Sequence, residues 1–187
     1  MDVEAEGNSR QLNRLVAVTV VILSVFMAVS KVKDDNIVQA MSKAKQESVD
    51  AWAEYQAARI KLHVDENSLS TLRLLETTGT IDKALAAKQA AEYQSDIKKY
   101  EGRSKETRAK AEGLEAEYDR LNFRDDQFDM SDAFMAIAIA VAAVAALTEM
   151  YALLVISWIS GATGMAFGIA GFVGWGLRPE FLAKFLG

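Results

Sequence analysis

The sequence has no cysteine, one histidine and one proline in 187 residues. Without cysteine there is no disulfide, no thiolate metal site and no cysteine nucleophile. The lone His63 has no second imidazole near it, and Asp65 and Glu66 fall on other faces of a helix. A surface role fits it better than a metal ligand. Proline is missing between residues 31 and 132, where glycine occurs only at Gly79, Gly102 and Gly113. Little in that stretch can stop a helix. A basic surface is missing as well, because 21 Lys and Arg stand against 26 Asp and Glu, spread along the chain. No nucleic-acid partner is expected. There is no phosphate loop, dinucleotide fingerprint, zinc-protease pair or Ser-His-Asp order. The chain is therefore expected not to be an enzyme and to need no cofactor or metal.

What is present is sharply segregated. Residues 15–30 and 133–177 hold most of the aliphatic and small apolar side chains, and the only charged residue within them is Glu149. These blocks have membrane composition. The first, with its flanks, covers residues 12–32, close to the ~20 residues that a helix needs to cross the hydrocarbon core. Arg10 and Arg14 precede it, and Ala28, Val29 and Ser30 resemble a signal-peptidase site. The acidic start "MDVEAEG" is unlike a signal's basic one, so residues 1–11 read as an acidic tail and residues 12–32 as a transmembrane anchor. Between the blocks, residues 31–132 carry 17 Lys and Arg against 21 Asp and Glu, a near balance that suits a water-exposed helical region.

Spacings of four and three run through that region. A first series is Ile37, Met41, Ala44, Ser48, Ala51, Tyr55, Ala58, Leu62, Asp65, Leu69 and Leu72, with Ser48 and Asp65 poor fits by residue type. A second is Ala86, Ala90, Tyr93, Ile97, Tyr100, Ser104, Thr107, Ala111, Leu114, Tyr118 and Leu121. Between them "ETTGTID" predicts a turn near residues 77–80, with Gly79 left-handed and Thr80 capping the next helix. Two long helices joined so tightly lie antiparallel, which makes residues 33–129 a coiled-coil-like helical hairpin. Trp52, Tyr55, Tyr93, Tyr100 and Tyr118 read as seam packing rather than a ligand-stacking stripe. Trp52, Leu74, Leu75 and Leu85 are left over and suggest contacts with neighbouring copies.

The second apolar block is long enough for two crossings and too short for three. Its turn lies either at Thr148-Glu149 or at the Gly161–Gly164 stretch. Burying an ionised Glu149 in the bilayer costs about 2.5 to 3.5 kcal/mol. Gly161, Gly164, Gly168 and Gly171 follow steps of three, four and three, so they share one helical face. The spacing predicts spans at residues 130–147 and 151–177, a turn at Thr148-Glu149, and the four glycines as a helix-packing face. Residues 178–187 read as an interfacial tail, with Trp175, Phe181 and Phe185 marking the membrane surface.

The segments "LNRLVAVTVVILSVFMAVS", "DAWAEYQAARIKLHVDE", "AFMAIAIAVAAVAALT" and "ISWISGATG" resemble a bacterial membrane-protein family known as domain of unknown function 4337. The segment Trp52 to Lys61 is the most specific part. The resemblance implies one span, a helical hairpin and two closing spans, with a turn after Thr148, and it implies no activity. Relatives place a basic cluster after that threonine, where this chain has Glu149.

The expected protein is all-α and integral to the bacterial inner membrane, with three transmembrane helices and the hairpin between the first and second. Lys31, Lys33, Lys43, Lys45, Arg120, Arg124 and Arg178 against Arg10 and Arg14 favour a cytoplasmic hairpin. The expected function is a self-associating, homo-oligomeric scaffold whose partners are the lipid bilayer and further copies. The alternative is an ion-conducting or proton-coupled oligomer that uses Glu149 and Thr148 as its ion or proton site. Its competitor is an interfacial Glu149, with Thr148 capping the last helix. Asp125, Asp126, Asp129 and Asp132 read as acidic residues at a helix start rather than a divalent-cation site.

Overall fold

A computed structural model describes residues 2–176, with side chains from residue 9 onward. Leu177 and the interfacial tail 178–187, including Arg178, Phe181 and Phe185, lie outside the described residues, as do the side chains of the acidic start. The described chain forms three α-helices: α1 Asp2–Thr77, α2 Lys83–Thr148 and α3 Tyr151–Val173. Each contains a stretch long and apolar enough to cross a membrane. The architecture is an all-α, three-helix membrane-spanning fold.

The lengths follow from what can interrupt a helix. From Ser9 to Thr78 there is neither glycine nor proline, and α1 continues without a break from apolar into charged sequence. It ends in a Schellman turn. Gly79 adopts φ +70°, the Gly79 N–H donates to Glu76 O at 3.2 Å and the Thr80 N–H to Leu75 O at 3.1 Å. The expected cap Thr80 is corrected to Asp82. Asp82 Oδ1 accepts from the backbone N–H groups of Ala84 and Leu85 at 2.9 and 3.0 Å, while the Thr80 hydroxyl pairs with that of Thr78. Because α2 starts at Lys83, Thr80 lies too far upstream to reach its free donors.

The chain divides into two compact units, one of residues 1–41 with 120–187 and one of residues 42–119. In the first, Leu12 and Val16 of α1 pack with Ala142 and Ala145 of α2 and Leu154 of α3. Further along, Leu23 packs with Met135 and Ala138. Alanines 138, 142 and 145 bury little area each but let the helix backbones approach. The opposite faces expose Val18, Val21, Val25 and Val29 on α1 and Val155, Ile156 and Ile159 on α3. Such aliphatic outer surface suits lipid.

In the second unit, Trp52 Nε1 donates to Glu115 Oε1 at 2.9 Å and Arg103 lies 3.8 Å from Glu54. The Lys45 and Lys61 ammonium groups sit 5.4 and 5.5 Å from the ring centres of Tyr118 and Tyr100. The residues at four-three spacing are the covered ones, including Ser48 at 2% exposure. His63 is exposed, as expected, but Glu66 is corrected from another face to a neighbouring one: three residues on, its Oε2 lies 2.9 Å from His63 Nδ1, and Arg59 lies 3.1 Å from Nε2.

Candidate functional site

The glycine face of α3 is buried against α1 and α2 of the same chain. A Cβ placed on Gly161 would meet the Leu23 side chain at 3.0 Å, and one on Gly168 would meet the Phe26 ring at 2.6 Å and Ser131 Oγ at 2.7 Å. At Gly164 the obstacle includes backbone, with Ser131 O at 2.9 Å and Met135 N at 3.1 Å. At Gly171 it is the Phe128 ring, which meets Phe172 edge-on at 5.2 Å. At Gly164, Gly168 and Gly171 a neighbour would have to move, and at Gly164 that neighbour is backbone; at Gly161 the flexible end of Leu23 would have to give by a few tenths of an ångström. Hydroxyls complete the interface: Ser157 donates to Ala138 O at 2.7 Å and Ser160 to Phe134 O at 2.8 Å. These bonds satisfy polar groups that lipid cannot.

The far end of α3 is held by α2. Arg124 donates to Gly171 O at 3.1 and 2.9 Å and to Phe172 O at 3.3 Å, and Gln127 donates to Trp175 O. The last carbonyls of a helix have no intrahelical donor, and a guanidinium there also meets the negative end of the dipole.

Thr148 and Glu149 lie at the break between α2 and α3. Glu149 takes φ +56°, unusual for a side-chain-bearing residue, and its carboxylate accepts from Ser9 Oγ at 2.7 Å. The expected cap by Thr148 is corrected. Its hydroxyl donates back to Val144 O at 2.8 Å within α2, and Met150 at the start of α3 makes no side-chain cap. Thr148 is still helical, so its hydroxyl reaches the carbonyl four residues earlier rather than the next helix.

A second polar cluster was only partly visible in the sequence. Asp34 is 2% exposed and Ser30 fully buried on α1. Lys31 Nζ donates to Asp34 Oδ2 at 2.7 Å and stands 3.6 Å from Asp35. Asp34 also lies within hydrogen-bonding reach of Asp125 on α2. Burial, then that hydrogen bond, then the neighbouring carboxylates push Asp125 up to about 7. Asp129 is raised as well, first by burial and then by Asp34. The helix-start reading of these acids is corrected, because α2 runs unbroken from Lys83 to Thr148 and no helix dipole begins at residue 125. Among the described residues no group of three or more His, Cys, Asp or Glu is placed to hold a metal ion. A signal for Asp34 existed: stepping back from Ile37 by three and four lands on Asp34 and Ser30. Stepping on from Leu121 lands on Asp125, Phe128, Asp132 and Met135.

Long helices, apolar outer faces and interhelical bonds from hydroxyl to carbonyl define a membrane-embedded, all-helical protein. Residues 12–174 match the family described as Domain of unknown function (DUF4337), and the chain belongs to that family. It is a bacterial multi-pass membrane protein. No curated protein and no solved structure matches the chain.

Proposed function

We propose that the protein is a non-catalytic, self-associating membrane scaffold whose residues 42–119 stand outside the bilayer as an antiparallel helical hairpin. Four side-chain pairs support the hairpin, at residues 45 and 118, 52 and 115, 54 and 103, and 61 and 100: partner numbers on α2 fall as those on α1 rise. Each arm extends about 50 Å at 1.5 Å per residue. Its seam, rich in Ala44, Ser48, Ala51, Ser104, Thr107 and Ala111, buries little apolar area, so the hairpin gains from lateral neighbours.

The observation that carries self-association is where unpartnered apolar surface remains. The glycine face is filled within the chain, whereas Val49, Ile60 and Leu74 are exposed at 57%, 64% and 68%. Steps of eleven and fourteen residues are close to three and four helical turns, so these three fall on one side of α1. Leu75 and Leu85 extend apolar exposure around the turn. A second copy is the occupant that a repeated aliphatic stripe on a long helix fits. The Lys and Arg count at the membrane flanks favours a cytoplasmic hairpin. Ion conduction through Glu149 is the weaker reading, since its side chain is exposed and bonded to Ser9.

Because the chain has no cysteine, single introduced cysteines report cleanly. Ile60→Cys should cross-link between copies in native membranes, and Ala58→Cys, which is buried, should not. No cross-linking at Ile60 or Leu74 would overturn self-association through this face. Thr80→Cys, labelled from either side, should react only from the cytoplasm.

A further inference from the structure

Asp34 and Asp125 occupy positions of the four-three series next to the membrane-spanning stretches of α1 and α2. Lys31 occupies Asp34 Oδ2, but Oδ1 has no donor when both acids are ionised. One turn earlier on the same face of α1, the fully buried Ser30 Oγ is also without a partner. Buried oxygens without donors are strongly unfavourable, and two carboxylates at hydrogen-bonding distance repel. One proton shared between the two carboxyls removes the repulsion and supplies a donor to Asp34.

We propose that Asp34 and Asp125 form a proton-binding carboxyl pair that shares one proton and ties α1 to α2 beside the membrane. Among the described residues, the charged groups facing the pair include Lys31 and Asp35 from α1 and Asp126, Asp129 and Asp132 from α2. The described part of α3 brings no charged side chain, and Arg124 is directed to the carbonyls of Gly171 and Phe172. Lys31 offsets part of the negative charge, and the excess favours holding the proton. Loss of the proton leaves two anions facing each other and weakens the contact between α1 and α2. This site is independent of self-association.

The test is infrared difference spectroscopy on the full chain in nanodiscs between mildly acidic and mildly alkaline pH. The wild type should show one protonated-carboxyl C=O band per chain that disappears around neutral pH, absent in both Asp34→Asn and Asp125→Asn. Thermal unfolding gives a second readout. Asp125 is raised from its ordinary 3.8 to about 7, so stability is greatest below about 4 and is lost as pH rises to about 7. In Asp125→Asn the amide N–H is a permanent donor, and most of that slope should vanish, with Asp129 leaving a smaller one. A wild type with no titrating band, or a band that survives either substitution, would overturn the proposal. So would a band removed by sodium or calcium at constant acidic pH, which would make the ligand a cation. If Asp34→Asn fails to fold, Asp125→Asn decides the outcome alone.

Discussion

Gly164→Ala should loosen the packing of α3 on α2. The added carbon would lie 2.8 Å from Met135 Cγ, 2.9 Å from Ser131 O and 3.1 Å from Met135 N. The Met135 side chain can rotate away, but the other two atoms belong to the α2 backbone. A carbon rests about 3.3 to 3.6 Å from a carbonyl oxygen, so the helices must part by roughly 0.5 Å here. Overpacking of this kind costs ~1–3 kcal/mol, against which alanine gains about 0.8 to 1 kcal/mol over glycine in helix propensity. With backbone as the obstacle the upper part of the range applies, and the net loss is about 1 to 2 kcal/mol. Gly113→Ala is the matched control. No atom lies within 4 Å of its added carbon, so it should stabilise α2 by roughly 0.5 to 1 kcal/mol. Denaturant titration in mild detergent, followed by helical circular dichroism, should order the proteins Gly113→Ala, wild type, Gly164→Ala. Gly164→Ala at or above wild-type stability would refute a close contact between α2 and α3.

Asp82→Ala removes both capping bonds of α2 and should cost about 1 kcal/mol, read as faster hydrogen exchange at residues 84–86. Arg124→Met removes three bonds to the end of α3 and should cost ~1.5–3 kcal/mol, with faster exchange near Gly174 and Trp175. Glu149→Val places a β-branched residue at φ +56° and should destabilise by about 1 to 2 kcal/mol. Glu149→Gly, which relieves that strain while losing the Ser9 bond, should stay close to wild type in the same assay.

Residue type and spacing made some features legible and others not. The unbroken α1 follows from the absence of glycine and proline between Ser9 and Thr78. The four-three spacing of Gly161, Gly164, Gly168 and Gly171 identifies a face, but periodicity along one helix carries no information on which helix covers it. Leu23, Phe26, Met135 and Phe128 supply that answer within the same chain. Thr80 and Thr148 look like caps by composition. Their hydroxyls bond elsewhere because capping depends on where the first helical residue falls, to within one position. Asp34 and Ser30 carry no apolar signal that would place them on a seam. Their positions continue the series that starts at Ile37, and burial of a charged residue is set by its neighbours rather than by its own hydropathy.

The most direct test of the scaffold is native mass spectrometry of the full chain, released from native membranes into mild detergent. Species at integer multiples of the single-chain mass, lost when Val49, Ile60 and Leu74 are together changed to Ser, are predicted. A single-chain mass under every condition would contradict self-association.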